Sequence, residues 1–136
     1  MTLFIDVHVL NDDGSLIDAS SLGAMAALKT GFIPEYDEET DSLVRDEKAR
    51  DIPLVEEPVT VTGHKINGEI VWDTTGEEEE AQGARLTVSI NEHGNVVAMQ
   101  KGETEPLTHD EIMEIVDQSE GKIEKLREQL DASAGE

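Results

Sequence analysis

"PVTVTGHKINGEIVWDTTG", residues 58 to 76, decides the fold. Val59, Val61 and Gly63 alternate with polar neighbours, the period-two pattern of a strand with one face toward a core. Asn67-Gly68 follows, the pair that best accepts the two positive φ angles of a type I′ turn, and "EIVWD" returns as the second strand of a hairpin. Downstream, "ARLTVSI" (84–90) and "VVAMQK" (96–101) repeat the device around "NEHGN", with Gly94 at the left-handed position. Between the hairpins, "EEEEAQG" (77–83) has room for one helical turn.

A long helix follows over "LTHDEIMEIVDQSEGKIEKLREQL" (107–130). Thr108 and Glu111 make a capping box, and Pro106 stands just outside its start. Ile112, Val116, Ser119, Ile123, Leu126 and Leu130 fall on one stripe. The spacing fits a coiled-coil seam, but Ser119 and an interior Gly121 favour a helix packed on its own sheet. The final "DASAGE" is expected to fray.

Upstream, "LFIDVHVL" (3–10) alternates as a strand, and "NDDGS" turns. "ASSLGAMAALKTG" (19–31) reads as a helix of small residues, capped by Ser20 or Ser21 and stopped at Gly31. Residues 32–57 read as an irregular acidic excursion with one or two edge strands. The expected organisation is therefore a strand-turn-helix unit (1–31), the excursion (32–57), two hairpins with the long helix (58–130) and a frayed tail (131–136). This is an α+β class with no internal repeat.

At 136 residues the chain is one domain or a piece of one. The absence of cysteine excludes disulfides and thiolate metal sites and fits a reducing cytoplasm. No apolar run approaches the roughly 20 residues of a membrane span, and the N-terminus has no basic segment preceding its apolar residues. Most telling is the charge of -22, from 32 acidic against 10 basic side chains. With 37% hydrophobic residues in periodic segments, the composition reads as an acid-coated domain adapted to a high-salt, halophilic cytoplasm rather than as disorder.

The residues alone give chemistry little foothold. Aligning Gly14 with the glycine of a calcium loop puts Val9 at the first ligand position, so that reading fails. The acidic runs at 35–41 and 77–80 read as solvated faces. His8, His64, His93 and His109 lack the spacing of a zinc pair and read as surface or strand-face histidines. Nucleotide-cradling and serine-hydrolase motifs are absent, so no cofactor and no metal are expected. Aromatics at 3% leave no stacking platform for single-stranded RNA.

Taken in order, "FIDVHVLNDDGSLIDASSLGAMAAL", then the segment from "PVTVTGHKINGEIVWD" to "ARLTVSINEHGNVVAMQKG", then a helix opening "LTHDEI", resemble RNase PH-like subunits of the exosome. The resemblance covers most of residues 3 to 130 and is nearest to the archaeal subunits that lack catalysis. It implies the C-terminal half of an RNase PH-like (ribosomal protein S5 domain 2-like) fold, a mixed sheet packed against helices. It also implies a hexameric ring shared with a catalytic RNase PH-like subunit, RNA-binding cap subunits, indirect contact with RNA, and no membrane. In catalytic relatives the strand matching "RLTVS" starts with an acid, and a second acid stands six residues earlier. Here those positions hold Arg85 and Glu79. An arginine cannot accept a proton at any relevant pH, so the resemblance implies degenerate catalytic positions. A salt bridge from Arg85 to the adjacent glutamates is a structural role compatible with that reading. Family members run to about twice this length, and the absent half carries most of their RNA-contacting arginines. The first strand and helix are then expected to expose surface meant for that half. The rival readings are an independent phosphate-dependent 3′–5′ exoribonuclease and an acidic protein-interaction module.

Overall fold

The computed structural model describes residues 2–134. Nine elements follow in order: α1 (Leu16–Thr30), β1 (Phe32–Asp37), β2 (Ser42–Asp51), β3 (Val59–Ile66), β4 (Glu69–Trp72), α2 (Gly76–Glu80), β5 (Ala84–Ile90), β6 (Val96–Gly102) and α3 (His109–Ala134). β3 to β6 form one sheet in the order β4-β3-β5-β6. Every pairing in it is antiparallel, so the mixed character lies in helices against sheet rather than in strand direction.

Local chemistry explains these elements. Asn67 and Gly68 take φ values of 52° and 87°, as a type I′ turn requires. The second hairpin closes with Asn91 N donating to Asn95 O at 3.0 Å, while Asn91 Oδ1 accepts from His93 N and Asn95 N. α3 opens on its capping box. Thr108 N donates to Glu111 Oε2 at 2.7 Å, and Glu111 N donates to Thr108 Oγ1 at 3.2 Å.

The core lies between α3 and one face of the sheet. Val59 and Val61 of β3 and Leu86, Val88 and Ile90 of β5 meet Ile115, Ile123 and Leu130 of α3, with Met25 added from α1. The buried stripe of α3 centres on Ile115, and Ile112, Val116 and Leu126 form its partly buried margins. Ser119 is buried without penalty because its hydroxyl donates to Ile115 O at 2.6 Å. The helix therefore packs on its own sheet.

α1 closes part of one rim of that sheet. β4 covers β3 only from Gly63 to Ile66, and beyond it Asp18 of α1 replaces the missing strand. Its carboxylate accepts from Thr62 N at 2.8 Å and from Thr62 Oγ1 at 2.7 Å. At the other end of α1, Lys29 reaches both Glu57 and Asp131, tying helix, loop and α3 together. β6 forms the opposite rim and is open along its length.

Three expectations are corrected and one is made definite. Residues 2–10 form no strand, because they run beside α1, a helix whose backbone offers no free edge to pair with. The helix begins at Leu16 with Ser15 as N-cap, so Ser20 and Ser21 lie inside it. Asp18 in its first turn suits the helix dipole. Residues 32–51 do form two edge strands, β1 and β2, paired as a hairpin separate from the main sheet whose register slips around Pro34, from Pro34 opposite Lys48 to Glu35 opposite Val44. α3 continues through Ala134, so residues 131–134 are helical, and 135–136 lie outside the described residues.

The Asp18 contact gives a testable expectation. Burial raises its carboxyl above the ordinary value of 3.8, and the Thr62 hydrogen bonds pull it partly back. A raised folded-state value means the native state holds this proton more tightly than the unfolded chain. Its contribution is therefore fully present below 3.8 and is lost as pH rises through the folded value. Asp18→Ala should destabilise by about 1–3 kcal/mol near neutral pH, because a sheet-edge N–H loses its acceptor. Asp18→Asn should fall less steeply in stability than wild type as pH rises from ~4. Urea midpoints against pH at constant high salt measure both, and parallel curves for wild type and Asp18→Asn would refute the assignment.

Candidate functional site

The residues singled out by sequence lie at the start of β5 and on α2. β5 is introduced by the loop 81–83, which is sewn to its neighbours. Gly83 N donates to Lys65 O at 2.9 Å, and Glu105 N donates to Gly83 O at 2.9 Å. This fixes Arg85 opposite His64 of β3 on one side and Gly102 of β6 on the other.

Arg85 runs across β6. A Cβ on Gly102 would sit 2.4 Å from Arg85 Nε and 2.9 Å from its Cγ, so the glycine is what lets the side chain lie there. The guanidinium meets Glu103 at the far limit of an ion pair, 3.9 Å from Nη1 to Oε1, and remains 31% exposed. A contact so long and wet contributes at most about 1 kcal/mol. The expected bridge to the glutamates of 77–80 is not formed; the partner is Glu103 from the β6–α3 connection.

Glu79 is occupied elsewhere. Its Oε1 accepts from Ser15 N at 2.8 Å and from Thr74 Oγ1 at 3.2 Å. α2 holds it in place through a capping box between Thr75 and Glu78. Glu79 therefore ties the turn before α1 to the β4–α2 connection. Among the described residues no ion pair joins Glu79 to Arg85. The arrangement places one partly exposed cation, able to neutralise an anion, next to the carboxylate of Glu103, while the carboxylate of Glu105 packs on Gly83 at the entry to β5.

Beside it lies a polar layer that the sequence did not disclose. Ser21, Thr60 and Ser89 form one hydroxyl chain, with contacts of 2.9 and 2.8 Å. Asp18, Thr62 and Thr87 form another, with contacts of 2.7 and 2.9 Å. His64, expected on a surface or strand face, is on the strand but fully buried, with Nδ1 2.7 Å from Gln82 Oε1 and Nε2 without a partner. Alternating Thr and Ser in β3 and β5 looks like a solvent face. Only the packing of Asp18 and Ser21 from α1 marks it as covered. Among the described residues no group of three or more histidines and carboxylates is placed to hold a metal, and no helix is long and apolar enough to cross a membrane.

Comparison with known proteins then decides the family. A model described as the 3′ exoribonuclease family, domain 2, matches residues 56–122, and the model for domain 1 of that family matches residues 1–34. The chain belongs to the 3′ exoribonuclease family. The "Exosome complex component Rrp42" of Thermococcus gammatolerans is 40% identical over 135 residues, 98% of this chain and 50% of its own length. Two solved structures share the RNase PH-like fold of this family member at 34% identity. "Archaeal exosome core" has a TM-score of 0.76 and covers 90% of this chain and 47% of that one. The Archaeoglobus fulgidus exosome "with RNA bound to the active site" has a TM-score of 0.75 and covers 88% and 45%. This member of the family thus spans about half the length of the relatives it matches.

Proposed function

We propose that this chain serves as a non-catalytic RNase PH-like subunit of an archaeal exosome ring, supporting phosphate-dependent 3′–5′ RNA degradation by a catalytic RNase PH-like partner in a high-salt cytoplasm. One observation carries the reading: the position that would need a carboxylate holds Arg85, while the acid six residues earlier, Glu79, is bound to Ser15 and Thr74. Phosphorolysis needs a group that handles protons or polarises phosphate at the reacting centre, and a guanidinium cannot take a proton. The retained sheet and helix favour a scaffold role, and relatives bearing the name of an exosome component support it. The net charge of -22 argues that RNA is held by other subunits, since phosphate neutralisation drives such binding.

Two measurements test this. In high-salt buffer with inorganic phosphate and a 3′-tailed RNA, the isolated chain and Arg85→Asp should both release no nucleoside diphosphate above background. Co-expressed with a catalytic RNase PH-like subunit, the chain should co-elute and RNA decay should depend on phosphate. Diphosphate release by the wild-type chain alone would overturn the proposal.

A further inference from the structure

We propose that the cavity between α1, α3 and the β3–β4 end of the sheet binds a small organic monoanion, a carboxylate on an apolar body, through Lys122 and Lys125. The proposal rests on the geometry of this chain and not on the ring role.

The cavity measures about 510 Å³, within the range of small-ligand sites, and lies between helices, where such sites often form. Its apolar lining comes from Leu22 of α1, Val61 of β3, Trp72 of β4 and Leu126 of α3. These four side chains belong to the core or pack against it, so the walls are fixed. Ser15 at the mouth is fixed as well. Its N–H donates to Glu79 Oε1 at 2.8 Å, and the preceding Gly14 lies so close to Thr74 that a Cβ would sit 2.1 Å from the Thr74 carbonyl oxygen.

Charge is sorted around this space. Lys122 and Lys125 both line it, whereas none of the acidic residues of α3 does. Neither lysine forms an ion pair among the described residues, although the chain has 32 acidic against 10 basic side chains. The two stand three positions apart on one helix, where side chains are neighbours and like charges repel. Lys122 Nζ also lies 4.8 Å from the centre of the Trp72 ring, an attraction that holds the ammonium at the cavity. An anion seated against both lysines removes their repulsion.

The opposite wall sets the kind of anion. Asp18 is no counter-ion for the lysines, because both of its carboxylate oxygens accept from Thr62. Ser15 lines the cavity, and its Oγ is buried with no partner among the described residues; a ligand carboxylate would accept its hydrogen. Asp73, on the same wall, repels a second negative charge, which favours a singly charged head over a dicarboxylate or a phosphate monoester. Leu22, Val61 and Leu126 then cover the apolar body. A merely solvated patch accounts neither for the sorting of charge along α3 nor for the unpartnered hydroxyl facing it.

Trp72 is the sole tryptophan, so its indole N–H, which donates to Gln118 Oε1 at 3.0 Å, gives one resonance in a proton–nitrogen correlation spectrum and reports directly on the cavity. Hexanoate is titrated into the whole chain at a constant ~3 M KCl, where long-range attraction is screened and only contact counts. The resonance should shift and saturate. Adipate, with a second carboxylate, should bind at least tenfold more weakly, and hexylammonium should give no saturable shift. Lys122→Gln with Lys125→Gln should weaken hexanoate at least tenfold while circular dichroism stays unchanged, and the paired Lys→Arg variant should retain binding.

No saturable shift up to about 50 mM hexanoate would overturn the proposal. So would equal binding of hexylammonium, which would leave only an apolar hollow, or of adipate, which would remove the preference for one charge. Undiminished affinity in the folded glutamine variant would also sink it. The comparison of the three ligands needs no variant, so the proposal stays testable even if the double substitution does not fold. Failure of the RNA-decay assay leaves these titrations standing, so the two proposals fail separately.

Discussion

Dialysis from about 3 M to about 50 mM KCl is expected to unfold the domain, with loss of far-ultraviolet circular dichroism in one cooperative step. The cause is charge density. Of 32 acidic side chains, five accept an ion pair from lysine or arginine among the described residues: Glu57, Asp131, Asp51, Glu111 and Glu103. Two like charges about 8 Å apart in water repel by about 0.5 kcal/mol, and many such pairs add. At about 1 M salt the screening length is near 3 Å and this repulsion vanishes; below about 0.1 M it exceeds 10 Å and the repulsion returns. The unfolded chain relieves it by spreading the charges apart, and a fold worth only about 5–15 kcal/mol has little margin to resist. Neutralising several exposed glutamates on the outer face of α3, such as Glu114, Glu124 and Glu128, should move the midpoint to lower salt. An unchanged spectrum down to about 50 mM KCl would show that the acid coat is no liability.

Ile115→Ala should remove about 2–5 kcal/mol of stability, the cost of emptying a fully buried branched side chain. The contact has a specific partner. A Cβ added to Gly63 would lie 3.0 Å from Ile115 Cγ1, 3.1 Å from its Cγ2 and 3.3 Å from Trp72 Cη2. Gly63 is therefore the hollow in β3 that receives Ile115, and Gly63→Ala alone should overpack it, costing about 1–3 kcal/mol. Combined, the two substitutions should partly compensate, because the new methyl group occupies space the isoleucine vacates. Denaturant midpoints for the four proteins at fixed high salt give the coupling energy directly. Strict additivity would mean that Gly63 and Ile115 do not share one packing site.

These effects show which parts of the architecture were legible in advance. Asn67-Gly68, the Thr108/Glu111 box and the alternation through Val59 and Val61 act within a few residues, so the chain alone discloses both hairpins and the long helix. Thr75 and Glu78 cap α2 within the glutamate run in the same local way. The segment 2–10 departs from its pattern because alternation establishes the capacity to form a strand, whereas forming one takes a partner edge. The β1–β2 hairpin was obscured for the opposite reason: it is exposed on both faces, so its residues have no buried side to alternate against.

At the candidate site, the identity of Arg85 was plain, but its neighbours were not. Glu103 lies 18 positions away, and Gly102 matters only because β6 is the adjoining strand. Asp18 reaches Thr62 across 44 positions, and Ser15 reaches Glu79 across 64. Such contacts follow from tertiary placement, to which local pattern is blind.

The carboxylate of Asp18 has a bearing on how molecules of this protein gather. It seals the stretch of β3 that β4 leaves bare, and β4 itself runs for only four residues, so one margin of the sheet offers little template for a visiting strand. The β6 margin stays available along seven residues. A ribbon that can be prolonged from one side alone stops growing after a single addition, which disposes this sheet toward closed pairs and away from endless fibres.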